Sequence, residues 1–178
     1  MKHLPKHLRP RWRYLAVSIE SWPDATFDRR DFQRALWDAT RALLGDPGSA
    51  AVDPTVLRFD RDGPVVRAIV KVRRGSVVRV RASMACIDAI GRDPVGLRVR
   101  GASGTVRACE EKYLGGPAEV SEERTVVYDS EERTAIVRPP RVDLRTGSAF
   151  LGATDGDCSP VTDPDSDEPH TDYESDRD

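Results

Sequence analysis

Between residues 11 and 102 the apolar side chains switch between alternate-residue spacing and helical spacing, in an order that few folds accommodate. Residues 11–20 alternate. Leu15, Val17 and Ile19 fall on one face and Trp12, Tyr14, Ala16 and Ser18 on the other, as in a half-buried strand. A helix follows: Asp28 is placed to cap it, Asp31 sits in its first turn, Phe32, Leu36, Ala39 and Leu43 recur along one stripe, and Gly45-Asp46-Pro47-Gly48 ends it. Residues 55–60 and 65–73 are β-rich runs separated by Arg61-Asp62-Gly63-Pro64, the pattern of a hairpin. Val77, Val80, Met84 and Ile87, with the intervening alanines and no Gly or Pro, predict a second helix from Ser76 to about residue 90. Residues 95–102 alternate again as a fourth strand, and Ser103-Gly104-Thr105 leads into a short helix through Val106, Cys109 and Tyr113, stopped by Gly115-Gly116.

The order β-α-β-β-α-β plus a helix predicts an α+β, ferredoxin-like fold. It is a four-stranded antiparallel sheet with both main helices on one face, the topology shared by RNA-recognition-motif proteins. The expected organisation is a domain over residues 1–116, a hairpin extension over 117–153 built on runs 124–128 and 133–138, and an acidic tail over 154–178. Residues 147–153 form a short apolar patch able to dock on the body. Residues 155–178 carry ten Asp and Glu and a single aliphatic side chain, Val161, so disorder is expected there.

Charge is divided just as unevenly. Residues 1–112 hold 22 Lys and Arg against 13 Asp and Glu, while residues 113–178 hold 6 against 17. A basic body with an acidic end points to a polyanion partner. Only Lys2, Lys6, Lys71 and Lys112 among the 28 basic residues are lysine, a bias produced either by a very salty cytoplasm or by a GC-rich genome. No segment approaches the roughly 18 apolar residues of a spanning helix, and residues 1–10 lack the apolar core of a secretory signal. A soluble cytoplasmic protein without a membrane partner is expected.

A one-layer sheet with helices on one side leaves its other face open. By alternation that face gathers Trp12, Tyr14, Arg58, Arg67, Ile69, Lys71, Arg98 and Arg100, with Lys2, Lys6, Arg9, Arg11 and Arg13 beside it on the N-terminal arm. The third strand, VVRAIVKVR, lacks the aromatic platforms on which RNA-recognition motifs stack bases, so contacts to the backbone of a folded RNA are expected instead. Catalytic side chains are not evident: there is no Gly-rich phosphate loop, nucleophile elbow or HExxH, and His3 and His7 flank Pro5 without a third ligand, so no metal or cofactor is assigned to the chain. Cys86, Cys109 and Cys158 have no CxxC spacing; Cys86 and Cys109 read as small buried hydrophobes.

Three stretches resemble the archaeal ribonuclease P protein component 2 family. They are Arg11-Trp12-Arg13-Tyr14-Leu15-Ala16-Val17; Ala68-Ile69-Val70-Lys71-Val72-Arg73-Arg74 running into Val80-Arg81-Ala82-Ser83-Met84-Ala85-Cys86-Ile87; and Ser103-Gly104-Thr105-Val106-Arg107 before Glu111-Lys112-Tyr113-Leu114. The likeness covers about residues 9–116, and the acidic part beyond looks like an extension of salt-loving lineages. It implies a subunit of ribonuclease P, the endoribonuclease that removes the 5′ leader from precursor tRNA, in which the RNA subunit binds the catalytic Mg²⁺ and this protein assists. It also implies pairing with protein component 3, commonly as a heterotetramer, alongside other ribonuclease P proteins. Arg11, Arg13, Lys71, Arg73, Arg74 and Arg107 are expected to bind RNA from their places in these stretches, and Arg67, Arg98 and Arg100 from alternation. Two other classes stay open on sequence: a ferredoxin-like small-molecule sensor, and a protein-interaction module without RNA.

Overall fold

The computed structural model describes Pro5 and residues 10–116, 121–147 and 149–161. The chain forms two compact units, Met1–Val120 and Ser121–Asp178. The first runs β1 (Trp12–Ser21), α1 (Arg29–Val52), β2 (Thr55–Asp62), β3 (Val65–Arg73), α2 (Val77–Ala85), β4 (Ala89–Ile90), β5 (Asp93–Ser103) and α3 (Val106–Tyr113). Its antiparallel sheet has the order β2-β3-β1-β5-β4. This is the expected ferredoxin-like arrangement with one addition, the two-residue β4 at the edge.

Alternation decides what lies inside. Leu15, Val17 and Ile19 of β1 and Val66, Ala68, Val70 and Val72 of β3 meet Phe32 and Leu36 of α1 and Val80 and Met84 of α2 in one buried cluster. Asp28 begins α1 by accepting the backbone N–H groups of Arg30 (2.6 Å) and Asp31 (3.0 Å), while the Asp31 carboxylate accepts the N–H of Asp28 (3.1 Å). The Asp31 N–H is the largest influence holding the Asp28 carboxyl below its ordinary range.

Two helix ends differ from expectation. Gly45 does leave the helical conformation (φ 70°, ψ 173°), but α1 resumes beyond it and ends only at Val52. Pro47 falls in the first turn of the resumed segment, where its missing N–H has no helical partner to lose. The second helix stops at Ala85 rather than near residue 90, because Gly91 adopts φ 65° and lets Ala89–Ile90 fold back onto Asp93 and Pro94 as a small hairpin. The earlier stop leaves Cys86 exposed, contrary to its reading as a buried hydrophobe; Cys109 is buried as expected.

The second unit holds more structure than one hairpin. β6 (Glu122–Tyr128), β7 (Glu131–Arg138), β8 (Arg141–Thr146), β9 (Ala149–Thr154) and β10 (Ser159–Pro160) form an antiparallel sheet in the order β10-β6-β7-β8-β9. Asp129 and Ser130, both at positive φ (51° and 63°), make the tight turn between β6 and β7. The apolar patch at 147–153 is largely strand β9, paired along β8, and of the tail expected to be disordered, residues 155–160 carry a single 3-10 turn and β10. Val126, Ala135, Val137, Val142 and Leu144 form the cluster that repays this order. Residues 162–178 lie outside the described residues, as do Lys2, His3, Lys6, His7 and Arg9. Among the described residues no helix is long and apolar enough to cross a membrane.

Candidate nucleic-acid interface

Because β1 runs antiparallel to both β3 and β5, its start lies beside their ends. Trp12 pairs with Arg73 and Tyr14 with both Lys71 and Ser103. The Arg74 N–H donates to the Arg11 carbonyl at 2.9 Å. Arg11, Arg13, Lys71, Arg73 and Arg74 are thereby brought to one end of the sheet, next to the Ser103-Gly104-Thr105 entry into α3. Thr105 caps that helix by accepting the Ala108 N–H at 3.2 Å, so its positive dipole end faces the same region. Gly104 makes room for Arg13: a Cβ there would stand 3.1 Å from Nη1 of the guanidinium.

The Trp12 ring organises two of these cations. Lys71 Nζ lies 4.4 Å from the ring centroid and the Arg73 guanidinium carbon 5.3 Å. Among the described residues, none of Arg11, Arg13, Lys71, Arg73 and Arg74 has a carboxylate in ion-pair range. Some cations elsewhere in the first unit are matched: Arg34 meets Asp31 (3.4 Å), Arg41 meets Asp38 (2.9 Å), Arg58 meets Glu110 (2.5 Å) and Arg107 meets Glu111 (2.7 Å). Arg107 thus shares the region but is already matched by a carboxylate one turn along its own helix. Sequence reasoning placed Trp12 on this face without seeing its role. The signal available was its position directly before Arg13 and cross-strand from the Lys71-Val72-Arg73 alternation.

The open sheet face expected from topology is closed along its middle. α3 lies across it and packs on β1 and β5, so that Ala16, Ile69 and Cys109 are fully buried. The Cys109 thiol donates to the Tyr14 carbonyl at 3.3 Å, and the Tyr113 ring occupies the space over Gly101. Arg67, Arg98 and Arg100 lie beyond this helix and do not join the first group. Arg67 and Arg98 flank Ser18 across three strands, Arg100 sits in the bulge of β5 opposite Ala16 and Val17, and Arg67 and Arg100 share a shallow cleft with Glu20 and Tyr113. The apolar identity of Ala16, Ile69 and Cys109 and the absence of a side chain at Gly101 were the marks of a covered face.

Burial raises the Cys109 thiol pKa, and the nearby Glu110 charge raises it further. In the folded protein at mildly alkaline pH, iodoacetamide is expected to label Cys86 and to reach Cys109 only on unfolding. Peptide mass spectrometry checks this; equal labelling of the two would mean that α3 does not seal the sheet.

Residues 13–114 match the sequence model of the Rpp14/Pop5 family. The chain is 60% identical over 157 residues to ribonuclease P protein component 2 of Haloarcula marismortui, covering 86% of this chain and 97% of that one. It is 31% identical over 113 residues to the protein of the same name from Thermococcus kodakarensis, covering 64% of this chain and 91% of that one. A chain in a cryo-EM structure of yeast ribonuclease MRP superimposes with TM-score 0.43 and 18% identity over 55% of this chain and 76% of its own. With the ferredoxin-like unit and the family match spanning the same residues, the chain belongs to the Rpp14/Pop5 family.

Proposed function

We propose that this chain is a protein subunit of ribonuclease P, binding and stabilising the RNA that removes the 5′ leader from precursor tRNA. The observation that supports this reading most is the gathering of five cations at one end of the sheet, with no carboxylate in ion-pair range among the described residues; four of them, Arg13, Lys71, Arg73 and Arg74, lie inside the stretch that matches the family. Folding an RNA around a metal centre crowds phosphates together, and guanidinium groups placed among them replace part of the diffuse counterion atmosphere. In the proposed assembly the RNA holds the catalytic Mg²⁺. This chain supplies no reacting group, works beside protein component 3 in a heterotetramer and beside the other protein subunits, and meets precursor tRNA as the substrate of the whole complex.

Relatives from salt-loving archaea fit a cytoplasm in which the Debye length is about 3 Å or less, so long-range attraction is screened and contact pairs dominate. A planar guanidinium bound edge-on to phosphate keeps its value under those conditions better than an ammonium does. Reversing charge at Arg73 and Arg74 (Arg73→Glu with Arg74→Glu) is therefore expected to raise the Mg²⁺ concentration needed for half-maximal cleavage of precursor tRNA by the reconstituted enzyme. An unchanged Mg²⁺ titration would count against the assignment.

A further inference from the structure

We infer that Trp12, Lys71 and Arg73 form a subsite for one unpaired nucleotide of the partner RNA, the base stacking on the indole while the two cations hold its flanking phosphates. The inference rests on the RNA-binding reading above and goes beyond it, since a purely electrostatic surface needs no exposed base. Three observations carry it. Trp12 is half-buried at the rim of the sheet, unlike Trp22, which is 2% exposed. Among the described residues its indole N–H has no acceptor, whereas the indole of Trp37 donates to the Pro54 carbonyl at 3.1 Å. The Trp12 ring carries two cations, where the rings of Phe27 and Tyr113 carry one each.

Lys71 and Arg73 put two positive charges on one ring, at 4.4 and 5.3 Å from its centroid, and among the described residues neither has a carboxylate in ion-pair range. Cation–π contact offsets part of that repulsion, and a phosphate would offset more. Once phosphates draw the ammonium and guanidinium outward, the indole face they leave suits a flat π-system, and every nucleobase has one. Contacts of this kind act at van der Waals range, so high salt weakens them far less than it weakens attraction between separated charges. Arg13 and Arg74, next to Trp12 and Arg73 in the chain, add positive charge at the same end of the sheet.

Stacking and simple charge placement leave different marks on salt dependence. Titrate the full chain, as wild type, Trp12→Leu and Trp12→Phe, against ribonuclease P RNA over a range of KCl concentrations. The Leu variant is expected to bind about 5- to 100-fold more weakly with the slope of log K against log salt unchanged, and the Phe variant to stay close to wild type. A shallower slope for Trp12→Leu would mean that the ring only positions Lys71 and Arg73, and unchanged affinity would mean that no base stacks there; either overturns the subsite while leaving RNA binding intact. Failure of the wild-type chain itself to bind would instead overturn the function proposed above.

Discussion

Truncation of Phe32 to alanine is expected to remove about 3–5 kcal/mol of stability from the first unit. Phe32 is fully buried on α1, in the same cluster as Leu15, Val17 and Ile19 of the central strand. Nothing nearby is placed to fill the gap. The sheet residues of that cluster are mostly β-branched and held by pairing on both sides of β1, and α1 is anchored by its capped start. Against a typical net stability of about 5–15 kcal/mol, a loss of that size moves a large share of molecules toward the unfolded state at physiological temperature. Urea unfolding followed by circular dichroism reads it as a lower midpoint at unchanged m-value. A loss below about 1 kcal/mol would mean that α1 collapses onto the sheet and would contradict the packing described.

The second large effect concerns Gly101. Exchanging a strand glycine for alanine ordinarily stabilises by about 0.5–1 kcal/mol, because the glycine costs more entropy to order. Here a Cβ would stand 2.3 Å from one atom of the Tyr113 ring and 2.4 Å from the next, so the ring or the whole of α3 must move. Overpacking of that degree costs about 1–3 kcal/mol, and the sign of Gly101→Ala is therefore destabilising. Gly96 is the control: its added Cβ would meet Glu20 at 3.8 Å, an ordinary contact, so Gly96→Ala should be neutral or mildly stabilising. Removing the ring should remove the conflict. In a thermal double-mutant cycle, Gly101→Ala added to Tyr113→Ala is expected to cost nothing further, and additive losses would show that the strain lies in the backbone of β5 instead.

Much of the first unit was legible because alternation along β1 and β3 and the stripe Phe32-Leu36 each record a single buried face. The misread portions are places where two faces are buried or where a backbone turn overrides side-chain pattern. Ala16 and Ile69 alternate onto a face that a one-layer sheet would leave in water, and only the later arrival of α3 covers them. The second helix fitted its apolar spacing through Ile87, yet Gly91 at positive φ drew the chain into β4 one turn early. In the second unit, charged residues hid strands. Arg141-Val142-Asp143-Leu144 alternates cleanly, with Val142 and Leu144 buried, but a run so short and charged carried no strand prediction; Asp143 turns out to be paired with Arg138.

The candidate interface was legible in composition and in motif order, but its division was not. Arg67, Arg98 and Arg100 share a face with Lys71 and Arg73 by strand parity alone. The helix laid over Ala16 and Ile69 separates the two groups, and parity carries no record of what crosses a sheet.

The cations at the mouth of the sheet, which meet no carboxylate among the described residues, couple occupancy to foldedness. A polyanion that engages only the native arrangement adds RT ln(1 + [L]/Kd) to the free energy of unfolding, about 2.7 kcal/mol when present at a hundred times its dissociation constant. Copies that have found their scaffold are thereby protected, and surplus copies, still carrying the unrelieved repulsion, open more often to proteases. Abundance would then track that of the scaffold without any dedicated regulator.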